Sequence, residues 1–355
     1  MLSRLKRLSV RSFAAVAVVA SLSTAACGGS SSSGGGGNQD LSFGTQPVIA
    51  YGMFDVAQRN GYYTKRNVKV NLLSFDSGSP ELEAMSGGNI QAGTMGATPA
   101  LTAAAAGLIK NLKIISLTDN PSGGYSILSK PGINSITDLK GKTIAGTEGS
   151  NYQYFLDRAL SKYGMSEKDV KFVNSEPADA QAAFIAGRVD AIVPPESARY
   201  LIPQKRPDTK VLFTADDFTK GPGPTDPFEV FDVIVAPGSV VKDKPQVLAS
   251  FLAAFHDDTV TALKIDPTGT YSRVADWLNS SGQAGVTPEA VQKQFTVSRF
   301  YSPVEVQQLM QGDRVTKSLQ QQFDFLVKAG KAHGKLDVSS LLDHTAIDLA
   351  AKEKP

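Results

Sequence analysis

Three stretches of the chain set glycine beside small hydroxyl or amide residues where a strand should give way to a helix. They are Asp76-Ser77-Gly78-Ser79-Pro80, Gly96-Ala97-Thr98-Pro99 and Gly146-Thr147-Glu148-Gly149-Ser150-Asn151. At such a junction the first helical turn leaves backbone N–H groups without intrahelical partners, and the macrodipole adds roughly half a positive charge. Glycine lets a ligand approach the backbone closely. The chemistry this suits is hydrogen bonding to a small anion or a polarised oxygen. Plain N-capping uses the same residue types, so one loop says little. Three in one chain point to a shared ligand site.

Other residue types narrow the chemistry. The single cysteine, Cys27, excludes an intramolecular disulfide framework and a cysteine zinc cage. Only three histidines occur, His256, His333 and His344, without metal-ligand spacing, and none lies in the first two thirds. No metal, cofactor or catalytic residue is therefore expected. Gly141-Lys142-Thr143 is not a phosphate-binding loop, because the required glycine five residues before Gly141 is Ile136. Glu148 and Glu196 could pair as catalytic carboxylates, but acids near a cleft are more often ligand contacts or surface charges. Tyr152 and Tyr154 cannot share a helix face; Tyr152 is expected in the core or against a ligand, with Tyr154 pointing away. Asp119, Asp216 and Asp217 read as solvated turn residues, and Trp277 as core.

The elements that must position these residues alternate between strand and helix. Strands are predicted at Val48–Ala50, Val68–Leu73, Ile90–Thr94 and Leu112–Leu117, then at Tyr125–Ser129, Thr143–Ala145, Val170–Val173, Ala191–Val193 and Phe231–Val235. Helices fall between them, at Phe54–Gly61, from Ser79 to near Gly87, and at Pro99–Ala106, Asn151–Tyr163 and Ala178–Ala186. The clearest is Asn151–Tyr163, with Tyr152, Phe155, Leu156, Ala159, Leu160 and Tyr163 on one face. Leu248, Phe251, Leu252 and Phe255 open a mostly helical remainder. Two α/β units with a helical tail predict an α/β fold of two facing lobes with ligand between them.

With 355 residues, 41% hydrophobic and 20% charged, the chain can build about two domains. Its 36 Lys+Arg against 34 Asp+Glu give no basic footprint for nucleic acid. Arg4, Lys6, Arg7 and Arg11 precede the apolar run Phe13–Leu22, and Ser23-Thr24-Ala25-Ala26 leads to Cys27. Ten apolar residues are too few to span a bilayer, so residues 1–27 read as a secretory signal. Without its four basic residues the remainder carries 32 positive against 34 negative side chains. The stretch GGSSSSGGGG at 28–37 begins a flexible linker expected to reach residue 44.

Small residues before a lone cysteine resemble the bacterial lipoprotein signal, which implies lipidation of Cys27 and a tether to the outer face of the cell membrane. The body carries a second resemblance. Gly61-Tyr62-Tyr63, Asn67-Val68-Lys69-Val70 and Phe75-Asp76-Ser77-Gly78 look like the opening of nitrate/sulfonate/taurine-type substrate-binding proteins of ABC importers. Further pieces follow in order: Gly88-Asn89-Ile90-Gln91-Ala92-Gly93, Gly96–Leu101, Ile136–Lys142, Gly146–Tyr154, Pro177–Ala180, Gly187–Ala191 and Leu336–Asp343. The likeness covers most of residues 47–345.

It implies a two-lobe, periplasmic-binding-protein-like fold of type II. Lobe 1 would be residues 45–120 and 235–345, lobe 2 residues 121–234, and 346–355 a tail. The ligand would touch the loop Tyr51–Phe54, Gly52, Met53 and Phe54 included, then Ser77, Gly78 and Ser79, Ala97 and Thr98, Ser150, Asn151 and Tyr152, and Glu196. Implied partners are a small polar or anionic solute and the importer's permease and ATPase, with the chain a monomer. Where the family has a tryptophan before its acid, this chain has Pro195 before Glu196, so a nitrogen-containing solute is expected as readily as a sulfonate. An enzyme on the same fold, or a receptor serving a sensor, would share this architecture. The related pyrimidine synthase uses a histidine and a cysteine-rich motif that are missing here.

Overall fold

The computed structural model describes residues 39–353. The basic and apolar segments, Cys27 and the Gly/Ser stretch 28–37 lie outside the described residues.

Among the described residues, ten strands form two sheets of five. They are β1 (Asp40–Thr45), β2 (Lys69–Ser74), β3 (Ala92–Gly96), β4 (Leu112–Asp119), β5 (Ser126–Ser129), β6 (Thr143–Gly146), β7 (Lys171–Asn174), β8 (Ala191–Ile192), β9 (Lys210–Thr214) and β10 (Asp232–Pro237). The first sheet runs β2-β1-β3-β10-β4 and the second β7-β6-β8-β5-β9. In each, the first three strands are parallel and the fourth is antiparallel to both neighbours. The chain leaves the first sheet after Asp119 and rejoins it at Asp232.

The first strand is a correction to the sequence reading. Residues 40–44, expected to be linker, pair along their whole length with β2, as Asp40↔Lys69 through Thr45↔Ser74. Val48–Ala50, expected as a strand, is instead a tight turn, with Tyr51 N–H donating to Val48 O at 3.1 Å. Its apolar residues serve burial at a helix entry rather than a ladder: Ile49 and Ala50 are fully buried. The helix Gly52–Arg59 follows, and Gly61 adopts φ +69°, where a side chain would be strained.

Each sheet carries its own aromatic core. Phe54 stacks on Phe255 at 4.1 Å between centroids and meets Phe43 at 4.8 Å, while Phe251 joins them. On the second sheet Phe155 packs against Phe228 at 4.9 Å and Phe218 at 5.5 Å. Aromatic pairs at such spacings add about 0.5–1.5 kcal/mol each beyond area burial. The helix Asp313–Lys328 contacts both cores: Leu319 and Phe323 pack into the first, and Phe325 lies against Tyr154 at 5.4 Å in the second. Tyr154, expected to face outward, is therefore core, because that helix covers the face opposite Tyr152.

Candidate functional site

Parallel strands end, and antiparallel strands begin, on the same sheet edge. That edge of both sheets faces a narrow cleft with a cavity volume of about 50 Å³. Gln46 and Tyr51 follow β1, Ser77 and Gly78 follow β2, and Gly96 ends β3. From the second sheet come Thr147, Ser150, Asn151 and Tyr152 after β6, and Pro195 after β8. Tyr125 precedes β5 and Asp232 opens β10, so the two crossing points also reach the cleft. Ligand clefts in open α/β sheets lie at such carboxyl edges.

Of the residues expected to contact a ligand, Ser77, Gly78, Ser150, Asn151 and Tyr152 line this cleft. Met53 and Phe54 do not: both are fully buried and turned into the first core. Gly52 packs against Val274 and Trp277, where a Cβ would come within 2.7 Å of Val274 Cγ1. Ser79 is exposed. Ala97, Thr98 and Glu196 are buried just behind the lining residues. Glu148 is exposed and so makes no pair with the buried Glu196.

Several helix-start donors considered for an anion are already used inside the protein. Ala97 N–H donates to Phe231 O at 3.1 Å and Thr98 N–H to Asn151 Oδ1 at 2.9 Å. Glu148 N–H donates to Asn174 Oδ1 at 3.0 Å and Gly149 N–H to Gln153 Oε1 at 2.8 Å. Ser150 caps the helix Asn151–Lys162 by accepting from Gln153 N–H. Capping and inter-segment bonding have thus taken Ala97 and Thr98 N–H of the second loop and Glu148, Gly149 and Gln153 N–H of the third.

Asn151 is the hub. Its Oδ1 accepts from Thr98 N–H and from Gln322 Nε2 at 3.1 Å, while its Nδ2 donates to Asp232 Oδ1 at 3.2 Å. Gln322 Nε2 also donates to Thr98 Oγ1. A side chain on the second sheet's helix thus bonds to the first sheet and to the C-terminal helical region. No Cβ fits at Gly96, because it would overlap the Asn151 amide.

Acidity concentrates beneath this hub. Burial, then the neighbouring Asp232 charge, pushes Glu196 up to about 8; its carboxylate accepts from Ala50 N–H. Burial lifts Asp232 to about 7 although Tyr51 and Asn151 bond to it. Asp119, expected to be solvated, is fully buried and raised by burial and by both other acids. It sits opposite Asp232 in the β4–β10 register. Burial, with these carboxylates adding to it, also raises Tyr51, Tyr125 and Tyr152. Of the loop Tyr51–Phe54, expected from the sequence to touch the ligand, Tyr51 lines the cleft; Gln46, Tyr125 and Asp232 were missed, and the usable signal was their place at the cleft end of a strand.

His256 lies elsewhere, buried between Ser116 Oγ at 2.8 Å and Tyr301 O at 2.9 Å. Among the described residues, no group of three or more His, Cys, Asp or Glu is placed to hold a metal ion. No helix among them is long and apolar enough to cross a membrane.

Residues 51–265 match the family model described as NMT1/THI5 like. The chain spans 41% of the length of a Brucella abortus sequence named as a binding protein, at 30% identity over 138 residues, which is 38% of this chain. It is 27% identical over 234 residues to the 4-amino-5-hydroxymethyl-2-methylpyrimidine phosphate synthase of Schizosaccharomyces pombe, covering 64% of this chain and 66% of that one. The taurine-binding periplasmic protein of Escherichia coli is 27% identical over 197 residues, 55% of this chain and 58% of its own length. Among solved structures, the alkanesulfonate-binding protein SsuA of Xanthomonas axonopodis pv. citri, bound to MOPS, superposes with a TM-score of 0.70 at 21% identity, over 86% of this chain and 98% of that one. The fold is therefore the two-lobe, periplasmic-binding-protein-like α/β fold. On the match over residues 51–265, the chain belongs to the NMT1/THI5-like family.

Proposed function

We propose that the chain is the extracytoplasmic solute-binding component of an ABC importer, tethered to the membrane through lipidated Cys27. It captures a small polar molecule between lobes built on the two sheets, and the closed form is what the permease and ATPase recognise. One observation carries the reading: side chains from both sheets meet at the cleft and bond across it, through Asn151 to Thr98 and Asp232. A ligand adding contacts to both sides stabilises the closed form by its differential affinity. Family membership supports it, as do relatives named for binding taurine and alkanesulfonate. We therefore read the chain as a receptor rather than an enzyme, despite its likeness to the synthase.

Uptake tests this directly. Deleting the chain should abolish import of its solute by the partner permease and ATPase, and adding it back should restore import. Unchanged import in the deletion strain would refute the role. The anchor is tested separately: Cys27→Ser should move the protein from the membrane to the soluble fraction or block its maturation, since stable anchoring takes two or more acyl chains. Full membrane retention would rule the anchor out.

A further inference from the structure

We propose that the cleft binds its solute through a positively charged nitrogen, seated among Tyr51, Tyr125 and Tyr152 and neutralising the carboxylates of Asp119, Glu196 and Asp232. The inference rests on the receptor reading above and names the class of solute. Two independent observations carry it.

The first is the chemistry of the wall. The cleft is lined by tyrosine rings, amides and the acids Asp76 and Asp232, with no lysine or arginine among the lining residues. Tyr125 and Tyr152 lie 5.3 Å apart with their rings tilted by 39°. Aromatic faces carry negative quadrupole density and attract a cation laid against them. A sulfonate or nitrate would add negative charge to a site already rich in it, where several helix-start donors are spent.

The second is a set of unfilled acceptors. Glu196 Oε2 has no hydrogen-bond partner although the residue is only 4% exposed, and the fully buried Asp119 carboxylate has only the Ser298 hydroxyl to offset its burial. An ionised carboxylate only accepts, so the missing partner is a donor or a cation. Glu196 belongs to the second sheet's side and Asp119 and Asp232 to the first, so closing the cleft gathers like charge from both. Asp119 and Asp232 also face each other across two strands, a pairing disfavoured for like charges. Arg199, whose charge also acts on Glu196, already donates to the Gly123 and Gly124 carbonyls at 3.3 and 2.7 Å. A cationic nitrogen satisfies these acceptors most fully in the closed form, which gives the differential contact that closure requires.

The test is calorimetry with small-angle scattering on the full-length protein in detergent, freed of bound solute by refolding from urea. Measurement at pH 8.5 matters, because Glu196 below about 8 and Asp232 below about 7 hold protons and could donate to an anion. The probes are choline, ethanolamine and tetramethylammonium, against ethanesulfonate, nitrate and 3,3-dimethylbutanol, the uncharged isostere of choline. At least one cation should bind tenfold or more tighter than either anion and compact the protein, and choline should outbind its isostere by a similar factor. Asp232→Asn should weaken cation binding at least tenfold. The isostere comparison needs no variant and stands even if Asp232→Asn fails to fold. Tight, compacting binding of ethanesulfonate or nitrate without cation binding would overturn the inference and leave a closing receptor intact. Binding by no probe, with an unchanged scattering profile, would overturn the inference and count equally against the receptor reading. Unaltered cation affinity in a folded Asp232→Asn protein would overturn the site assignment.

Discussion

Glu81 is fully buried beside β1 and β3, with Oε2 accepting from Gln46 Nε2 at 2.7 Å and Oε1 unpartnered. Burial pushes it up to about 8 from an ordinary 4.5. Between those values the folded state holds a proton that the unfolded chain has lost, so stability falls as pH rises from about 4.5 to 8. Glu196 at about 8, Asp232 at about 7 and Asp157 at about 6 act in the same direction. His256, lowered by burial to about 4, works the opposite way, favouring the fold as pH rises from 4 towards 6.5. Four carboxyls outweigh one imidazole, and above pH 6.5 the histidine no longer contributes. The urea midpoint of the ligand-free protein is thus expected to be lower at pH 8 than at pH 6, and Glu81→Gln should shrink that difference. A midpoint that rises over this range would contradict the assignment. The same carboxylate explains Gly93, where a Cβ would overlap Glu81. Gly93→Ala should destabilise by about 1–3 kcal/mol through overpacking. Much of that loss should vanish in a Glu81→Ala background, a coupling that a double-mutant cycle measures.

At the scale of elements, the helix Asn151–Lys162 shows which parts of a site a sequence can announce. Its N-cap serine and apolar face were legible, because capping and the 3.6-residue period are local properties. The use of its first turn was not: Asn151 is spent on Thr98, Asp232 and Gln322, residues 53, 81 and 171 positions away. These roles imply effects on stability more than on ligand contact. Ser150→Ala should cost about 0.5–2 kcal/mol in urea unfolding, the usual loss of an N-cap. Gln322→Leu leaves Thr98 Oγ1 without its buried donor and Asn151 Oδ1 with Thr98 N–H alone, and should cost about 1–3 kcal/mol. Equal stability in both variants would show that these bonds are not formed in solution.

At the scale of the whole molecule, the two crossings between sheets lie side by side. Ser122 Oγ donates to Val230 O at 3.2 Å and accepts from Val230 N–H at 2.9 Å, while Asn120 N–H donates to Arg299 O at 3.0 Å. A paired crossing of this kind permits rotation about one axis. Ser77 Oγ donates to Glu176 Oε1 at 3.5 Å across its mouth, and Lys331 Nζ meets Asp157 at 2.9 Å on another flank. A saturating solute is expected to lower the radius of gyration in scattering. Asn151→Ala, which removes the bonds to Thr98 and Asp232, should raise it in the ligand-free protein. Identical profiles for wild type and variant, with and without solute, would rule out hinge closure.

The sequence by itself determined the alternation of strands and helices, the glycine-rich loops at the sheet edge and the family, because period, capping and ordered short motifs are carried by neighbours in the chain. It also misplaced the first strand: Leu41 and Phe43 alternate correctly, but Asp40 and Gly44 beside a Gly/Ser tract read as linker until β2 and β3 supply partners. Tertiary structure alone decided the site. Tyr125 and Asp232 reach the cleft because they open antiparallel strands among parallel ones, and Asp119 is buried because Asp232 returns beside it from 113 residues further along. Phe54 and Thr98, close in sequence to lining residues, turn inward because a core and an amide hub claim them first. Whether a helix-start N–H meets a ligand or the protein depends on which distant acceptor arrives. Long-range packing fixes that, and local sequence does not encode it.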